Sequence, residues 1–283
     1  MRIRIDLAYD GTDFKGWAKQ PGLRTIQGDL EAALQMALRT PQVSVTCAGR
    51  TDTGVHARGQ VTHVDVYEAT LQAAAGRSHS PPMIALGRRL NGILGGDLRV
   101  TSVTEAPEGF DARFSAVWRR YAYRVADRPE LIDPLSRNHV LAWHRPLDLA
   151  AMNEAARVLI GQHDFASFCK KREGATTIRT LLDLHWYRDI EDRAVATVRA
   201  DAFCHNMVRA LVGCMIAVGE GRHEPSWAAG VLNAAQRDPA VIVVPPHGLT
   251  LEEVGYPAAH LMAQQAELSR VRREAAAAED AHG

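Results

Sequence analysis

Short runs of alternating apolar residues, separated by stretches in which apolar residues recur every three or four positions, set the tightest limit on what this chain can fold into. Ile3, Ile5 and Leu7 alternate with charged residues and end at Asp10-Gly11, a strand closed by a turn. From Thr25 to Thr40, Ile26, Leu30, Leu34 and Leu38 recur at four-residue spacing behind a Thr25 N-cap, which predicts an amphipathic helix packed on a sheet. Val43, Val45 and Cys47 alternate again, and Thr62, Val64 and Val66 resume the pattern. Met83 to Leu94 reads as a helix, and Leu98, Val100 and Val103 as a strand. The order strand, helix, strand, strand, helix, strand is that of a split βαβ, ferredoxin-like unit.

The same order recurs further along. Tyr121, Tyr123 and Val125 alternate, Leu149 to Gly161 reads as a helix, and Leu182, Leu184 and Trp186 begin a hairpin that turns at Ile190 to Arg193 and returns through Val195, Thr197 and Arg199. Phe203 to Val218 is an apolar helix that Gly219 to Gly221 would end, Trp227 to Gln236 a shorter helix, and Leu249, Leu251 and Glu253 a last strand. The fold class expected is therefore α+β, with two ferredoxin-like or RRM-like halves, residues 1–109 and 110–257, whose antiparallel sheets meet at a central cleft. Residues 67–82, rich in Ala, Gly, Ser and Pro, are expected to form a mobile loop, and the Ala/Glu/Arg-rich tail 258–283 to be helical or disordered.

With 46% hydrophobic and 23% charged residues in 283, the composition is that of a soluble globular chain long enough for two domains. There is no run of about 18 apolar residues and no signal peptide at the charged start, so a cytoplasmic protein without membrane contact is expected. Cys47, Cys169, Cys204 and Cys214 lack Cys-x-x-Cys spacing, and buried or free thiols are expected of them, not disulfides or zinc. His56, His63 and His205 lack paired ligand spacing, and no metal is expected. The 33 basic and 33 acidic residues cancel, so any RNA site must be a local patch drawn from Lys15, Lys19, Arg24, Arg88-Arg89, Arg119-Arg120 and Lys170-Lys171-Arg172.

The chemistry concentrates between Cys47 and Gln60, where Gly49, Gly54 and Gly59 punctuate a loop centred on Asp52. In an extended backbone the i, i+2 spacing of Arg50 and Asp52 points both side chains to one side, where the guanidinium keeps the carboxylate ionised as a base or nucleophile. The plain alternative is that Asp52 caps its own turn. An aspartic protease needs a second Asp-Thr/Ser-Gly, which the chain lacks. In Arg119-Arg120-Tyr121-Ala122-Tyr123-Arg124, cations alternate with aromatics, as suits a base stacked on a ring with its phosphates near cations, or simply a strand whose tyrosines are core.

The string Ala48-Gly-Arg-Thr-Asp-Thr-Gly-Val-His-Ala57, followed by Gly59-Gln60-Val61, resembles the active-site motif of the tRNA pseudouridine synthase A family. The resemblance continues through Tyr9-Asp10-Gly11 with Gly16-Trp17 and Gln20, Phe110 to Ala116 with Arg119-Arg120-Tyr121, Phe203-x-x-x-Met207-Val208-Arg209 and Gly248-Leu249-Thr250-Leu251, covering roughly residues 1–257. It implies an isomerase that converts uridine to pseudouridine at positions 38–40 of the tRNA anticodon stem-loop, without cofactor or metal, as a homodimer. By the same resemblance Asp52 is the catalytic aspartate, Arg209 pairs with it, Arg50 pairs with it or contacts the flipped nucleotide, and Tyr121 stacks on the uracil and is a candidate for the late proton removal. Leu249 packs near the base, and Arg58, Arg120 and Lys19 are expected RNA contacts. Two rivals use the same features: an RNA or nucleoside hydrolase working through Asp52 and water, and a non-catalytic RNA-binding module.

Overall fold

The computed structural model describes residues 1–76, 79–170 and 176–280, so Lys171 and Arg172 of the expected basic cluster lie outside the described residues. It is a mixed α/β protein that divides into two compact units, Met1–Val117 with Leu251–Ser269, and Trp118–Thr250 with Arg270–Gly283.

In the first unit the elements follow as β1 (Arg2–Tyr9), α1 (Ile26–Leu38), β2 (Thr46–Cys47), β3 (His56–Asp65), α2 (Glu68–Ala75), α3 (Pro82–Ile93) and β4 (Leu98–Glu105). Strand β1 is central, antiparallel to β4 on one side and to β3 on the other. Its alternation is realised as expected: Ile3, Ile5 and Leu7 are fully buried while the charged residues between them stay half-exposed. Each such side chain contributes about 1.5–3 kcal/mol relative to leaving it in water. Thr25 caps α1, its Oγ1 accepting the Gly28 N–H at 3.2 Å, and Leu30, Leu34 and Leu38 face inward. Asn91 ties α3 to β4 by donating to Val100 O and accepting its N–H, both at 2.8 Å.

Two features of this unit depart from the sequence reading. Strand β3 begins at His56, six residues before the apolar alternation resumes, and β2 is only two residues long, pairing Thr46 with His63 and Cys47 with Thr62. Residues 68–75, expected within a mobile loop, form α2, because Glu-Ala-Thr-Leu-Gln-Ala-Ala-Ala is rich in strong helix formers and Leu71 is buried.

The second unit runs through β5 (Trp118–Ala126), β6 (Leu141–Ala142), α4 (Leu149–Arg157), β7 (Gly161–Asp164), β8 (Ile178–Arg188), β9 (Ala194–Ala200), α5 (Met207–Gly219) and α6 (Trp227–Asn233). Its strands are ordered β5-β9-β8-β7, all antiparallel, with short β6 parallel to the end of β5. The β8–β9 hairpin closes over Asp189 to Arg193, where the Asp189 carboxylate accepts the Glu191 and Arg193 N–H groups. Every residue of α5 except Arg209 is buried, which is why its sequence is apolar all round. Strand β10 (Leu249–Gly255) starts in this unit and continues into the first, where it lies beside β3.

The tail forms α7 (Met262–Asp280), anchored in the first unit where Ser115 Oγ donates to Met262 O at 3.1 Å. Contrary to expectation, Cys169 and Cys204 are joined as a disulfide, their Cα atoms 5.7 Å apart. Cys47 and Cys214 are buried and lie outside this disulfide. Among the described residues no helix is long and apolar enough to cross a membrane, and no cluster of three or more His, Cys, Asp or Glu is arranged to hold a metal ion.

Candidate active site

The Asp52 loop is a tight turn held from three sides within the first unit. The Val55 N–H donates to Asp52 O at 3.1 Å, closing a four-residue turn in which Gly54 takes φ +76°, a value that glycine alone adopts without strain. Below the turn, buried Thr51 shares a 2.8 Å hydrogen bond with the Tyr9 hydroxyl at the end of β1, and its carbonyl accepts the Trp17 N–H at 3.0 Å. Gln60 of β3 is fully buried and donates through Nε2 to the Tyr9 hydroxyl at 3.2 Å and to Gly49 O at 2.7 Å. Asp52 itself is half-buried between a buried Thr51 and an exposed Thr53.

On its far side the turn abuts Gly11. The Gly11 N–H donates to His56 Nδ1 at 2.9 Å, and that nitrogen lies 3.1 Å from Asp10 Oδ1. A Cβ on Gly11 would sit 2.0 Å from the Val55 carbonyl oxygen, so the two chain segments approach closely only because position 11 is glycine. Gly11→Ala is therefore expected to push the turn away and to cost about 1–3 kcal/mol of stability, the usual range for overpacking. A urea midpoint equal to that of the wild type would show that the contact is dispensable.

The cations near this loop differ in how committed they are. Arg50 is exposed beside the turn. Arg58 points outward from β3, 64% exposed and 3.7 Å from Glu252 on β10, a surface pair of small energetic value. Lys19 is also exposed, its Nζ 3.4 Å from buried Glu31. Arg24, by contrast, is fixed by Asp97 and Asp29 and lies over the Phe14 ring at 4.1 Å, and the hydrogen bond to Asp97 raises its pKa further above the usual arginine value. Its sequence neighbourhood placed it with the basic patches, and its partners make it structural.

In the second unit, β5 presents Tyr121 and Tyr123 on one face, opposite Val198 and Ala196 of β9. Their environments differ. Tyr123 is fully buried, donates its hydroxyl to Pro245 O at 2.7 Å, and burial drives its pKa far above the ordinary phenol value, so it serves as core. Tyr121 is 8% exposed, and the Phe203 ring meets it edge-on, centroids 5.2 Å apart and planes at 89°. Arg120 is on the other face, paired across the strands with Arg199. Arg209, half-buried on α5, donates its Nε to Val244 O at 2.6 Å, and Leu249 is buried at the start of β10.

The supports of the loop, Tyr9, Thr51, His56 and Gln60, all lay in the matched motifs, but of these only His56 was weighed for its chemistry, and then as a metal ligand.

Comparison with known proteins gives these parts a family. The chain belongs to the tRNA pseudouridine synthase family, whose profile matches residues 155–257, and it is similar over nearly its whole length to curated members. It is 58% identical to the tRNA pseudouridine synthase A of Streptomyces griseus over 95% of this chain and 93% of that one. Identity is 56% to the protein of the same name from Streptomyces avermitilis, covering 98% and 96% of the two chains, and 47% to that of Mycobacterium leprae, covering 95% and 94%.

Proposed function

We propose that this protein is an isomerase that converts uridine to pseudouridine in tRNA, acting at positions 38–40 of the anticodon stem-loop through Asp52. The observation that carries the reading is 58% identity along 95% of the chain to a tRNA pseudouridine synthase A, with Asp52 half-buried in a turn closed by the Val55 N–H. The remaining parts of the reading are two ferredoxin-like halves, a homodimer and a cytoplasmic setting.

The reaction accounts for the residue types. The bond from the sugar C1′ to uracil N1 breaks, the base turns while held, C5 bonds to the same carbon, and the C5 proton leaves. The Asp52 carboxylate either attacks C1′ or removes a proton from the sugar as the bond breaks. Arg209 serves as its counter-ion, and Arg50 either pairs with it too or contacts the flipped nucleotide. Because the target base starts stacked in RNA, it must be turned out, and Tyr121 supplies the replacement stacking surface, with its hydroxyl as the candidate for the late proton removal. Leu249 helps exclude water, which would otherwise divert the intermediate to hydrolysis. Arg58, Arg120 and Lys19 contact the RNA backbone, as exposed or half-buried cations can.

The role of Arg209 predicts that Arg209→Ala lowers kcat by about a hundredfold while changing the Kd for anticodon-arm RNA by less than about threefold. A variant that loses binding and keeps kcat would make Arg209 an RNA contact instead. The reading as a whole is tested by chromatographic separation and fragmentation mapping of nucleosides in anticodon arms from cells with and without this protein. Pseudouridine at positions 38–40 that vanishes with the protein is the expected result, and an unchanged map refutes it.

A further inference from the structure

The disulfide joins two segments of the second unit that are 35 residues apart in sequence. Cys169 follows the short helical turn Ala166–Phe168, and Cys204, next to Phe203, opens the Cys204–Met207 turn that leads into α5. Alongside the covalent link runs a backbone hydrogen bond, Lys170 N–H to His205 O at 2.9 Å. Phe203, the immediate neighbour of Cys204, is the ring that meets Tyr121 edge-on. The link thus fixes, one residue away, the aromatic side chain that buttresses Tyr121.

We propose that Cys169 and Cys204 form a reversible redox latch that holds Phe203, a positioning residue, against Tyr121, so that the disulfide form turns over faster than the dithiol form. The effect on turnover rests on the functional reading above. The latch itself does not. Cys204 is half-buried and Cys169 is 6% exposed, so Cys204 is the sulfur that meets reagents. Its thiolate attacks a low-molecular-weight disulfide R–S–S–R and displaces one R–SH. The Cys169 thiolate then attacks the Cys204 sulfur of the mixed disulfide and displaces the second R–SH. Two protein thiols are oxidised, the small disulfide is reduced to two thiols that carry the two protons, and a small dithiol runs the steps backwards. Cys47 and Cys214 are buried away from reagents and do not compete. In a reducing compartment a disulfide of this kind is a transient or sensing device, not a permanent staple.

The test uses the full-length protein equilibrated with oxidised glutathione or with dithiothreitol. Peptide mapping without reductant reads the Cys169–Cys204 link, hydrogen exchange reads the segment from Phe203 to Arg209, and pseudouridine formation reads the site. Reduction is expected to speed exchange in that segment about tenfold and to lower kcat about three- to tenfold with the RNA Kd unchanged. The double variant Cys169→Ser with Cys204→Ser should behave as the reduced protein in both buffers. The latch is overturned if no Cys169–Cys204 peptide forms in oxidised glutathione, if exchange is equal in the two states, or if both forms make pseudouridine at the same rate while exchange differs. If exchange responds and neither form makes pseudouridine, the latch stands and the functional reading falls.

Discussion

Asp52→Asn is expected to bind anticodon-arm RNA with wild-type affinity and to release no measurable hydrogen from C5 of uridine. The substitution keeps the shape of the side chain and its capacity to accept a hydrogen bond, so the turn closed by the Val55 N–H and Gly54 should survive. What it removes is the negative charge and the basic, nucleophilic oxygen. Loss of the group that initiates covalent or proton-transfer chemistry typically lowers kcat by about 10⁴-fold or more. The alternative that Asp52 only caps its turn makes the opposite prediction. Asparagine serves turns about as well as aspartate, and the rate would then stay within a few-fold of the wild type. Equal melting temperatures for the two proteins would confirm that the comparison concerns chemistry and not folding.

The largest effect on stability is expected from Asp127→Ala in the second unit. Asp127 follows β5 and is fully buried. Its two oxygens accept from both terminal nitrogens of Arg188 on β8, the second at 2.7 Å, and Oδ2 also accepts the Leu147 N–H at 2.9 Å. Removing the carboxylate leaves the Leu147 N–H buried and the guanidinium without its partner, a loss of about 3–5 kcal/mol for a fully buried pair. The Arg188 side chain is 28% exposed, which places the expected value near the lower end. The double variant Asp127→Leu with Arg188→Met should lose less stability than Asp127→Ala alone, because no charge is then stranded.

The same pair sets a pH dependence. Burial opposes ionisation of Asp127, but the Arg188 hydrogen bonds and the Leu147 N–H outweigh it and hold the carboxyl below the ordinary range. A depressed folded-state pKa means that its stabilisation is complete above the unfolded value near 4 and is lost as pH falls through the folded one. Wild-type stability should therefore fall on acidification below about pH 4 more steeply than that of the double variant lacking both charges. Parallel urea midpoints for the two proteins across that range would remove the pair from the explanation.

How legible the protein was from its sequence depended on periodicity. Strand β1 and helix α1 were readable because Ile3, Ile5 and Leu7, or Leu30, Leu34 and Leu38, repeat at the spacing of the face they bury. The start of β3 was hidden because buried His56 and Gln60 are polar and break the alternation, their partners being Gly11 and Tyr9, far away in sequence, and Gly49 across the turn. Helix α2 was obscured by the Gly, Ser and Pro residues that follow it. The disulfide joins cysteines with no local spacing to relate them, and only the fold brings residue 169 to residue 204. Arg24 was grouped with cations by proximity in sequence, although Asp97, from the other end of the first unit, claims it. The motif strings singled out Asp52, Tyr121, Arg209 and Leu249 as expectations, and they were silent on Phe203 as the ring against Tyr121.

The central claim is most directly tested by incubating the purified protein with a single anticodon stem-loop RNA and resolving the products by mass spectrometry and nucleoside chromatography. The account predicts an RNA of unchanged mass in which one uridine at position 38, 39 or 40 has become the C-linked isomer, with no free base released. Free uracil and an abasic site would show a hydrolase, and intact uridine in a tightly bound RNA would show a binding module. Either result contradicts the account.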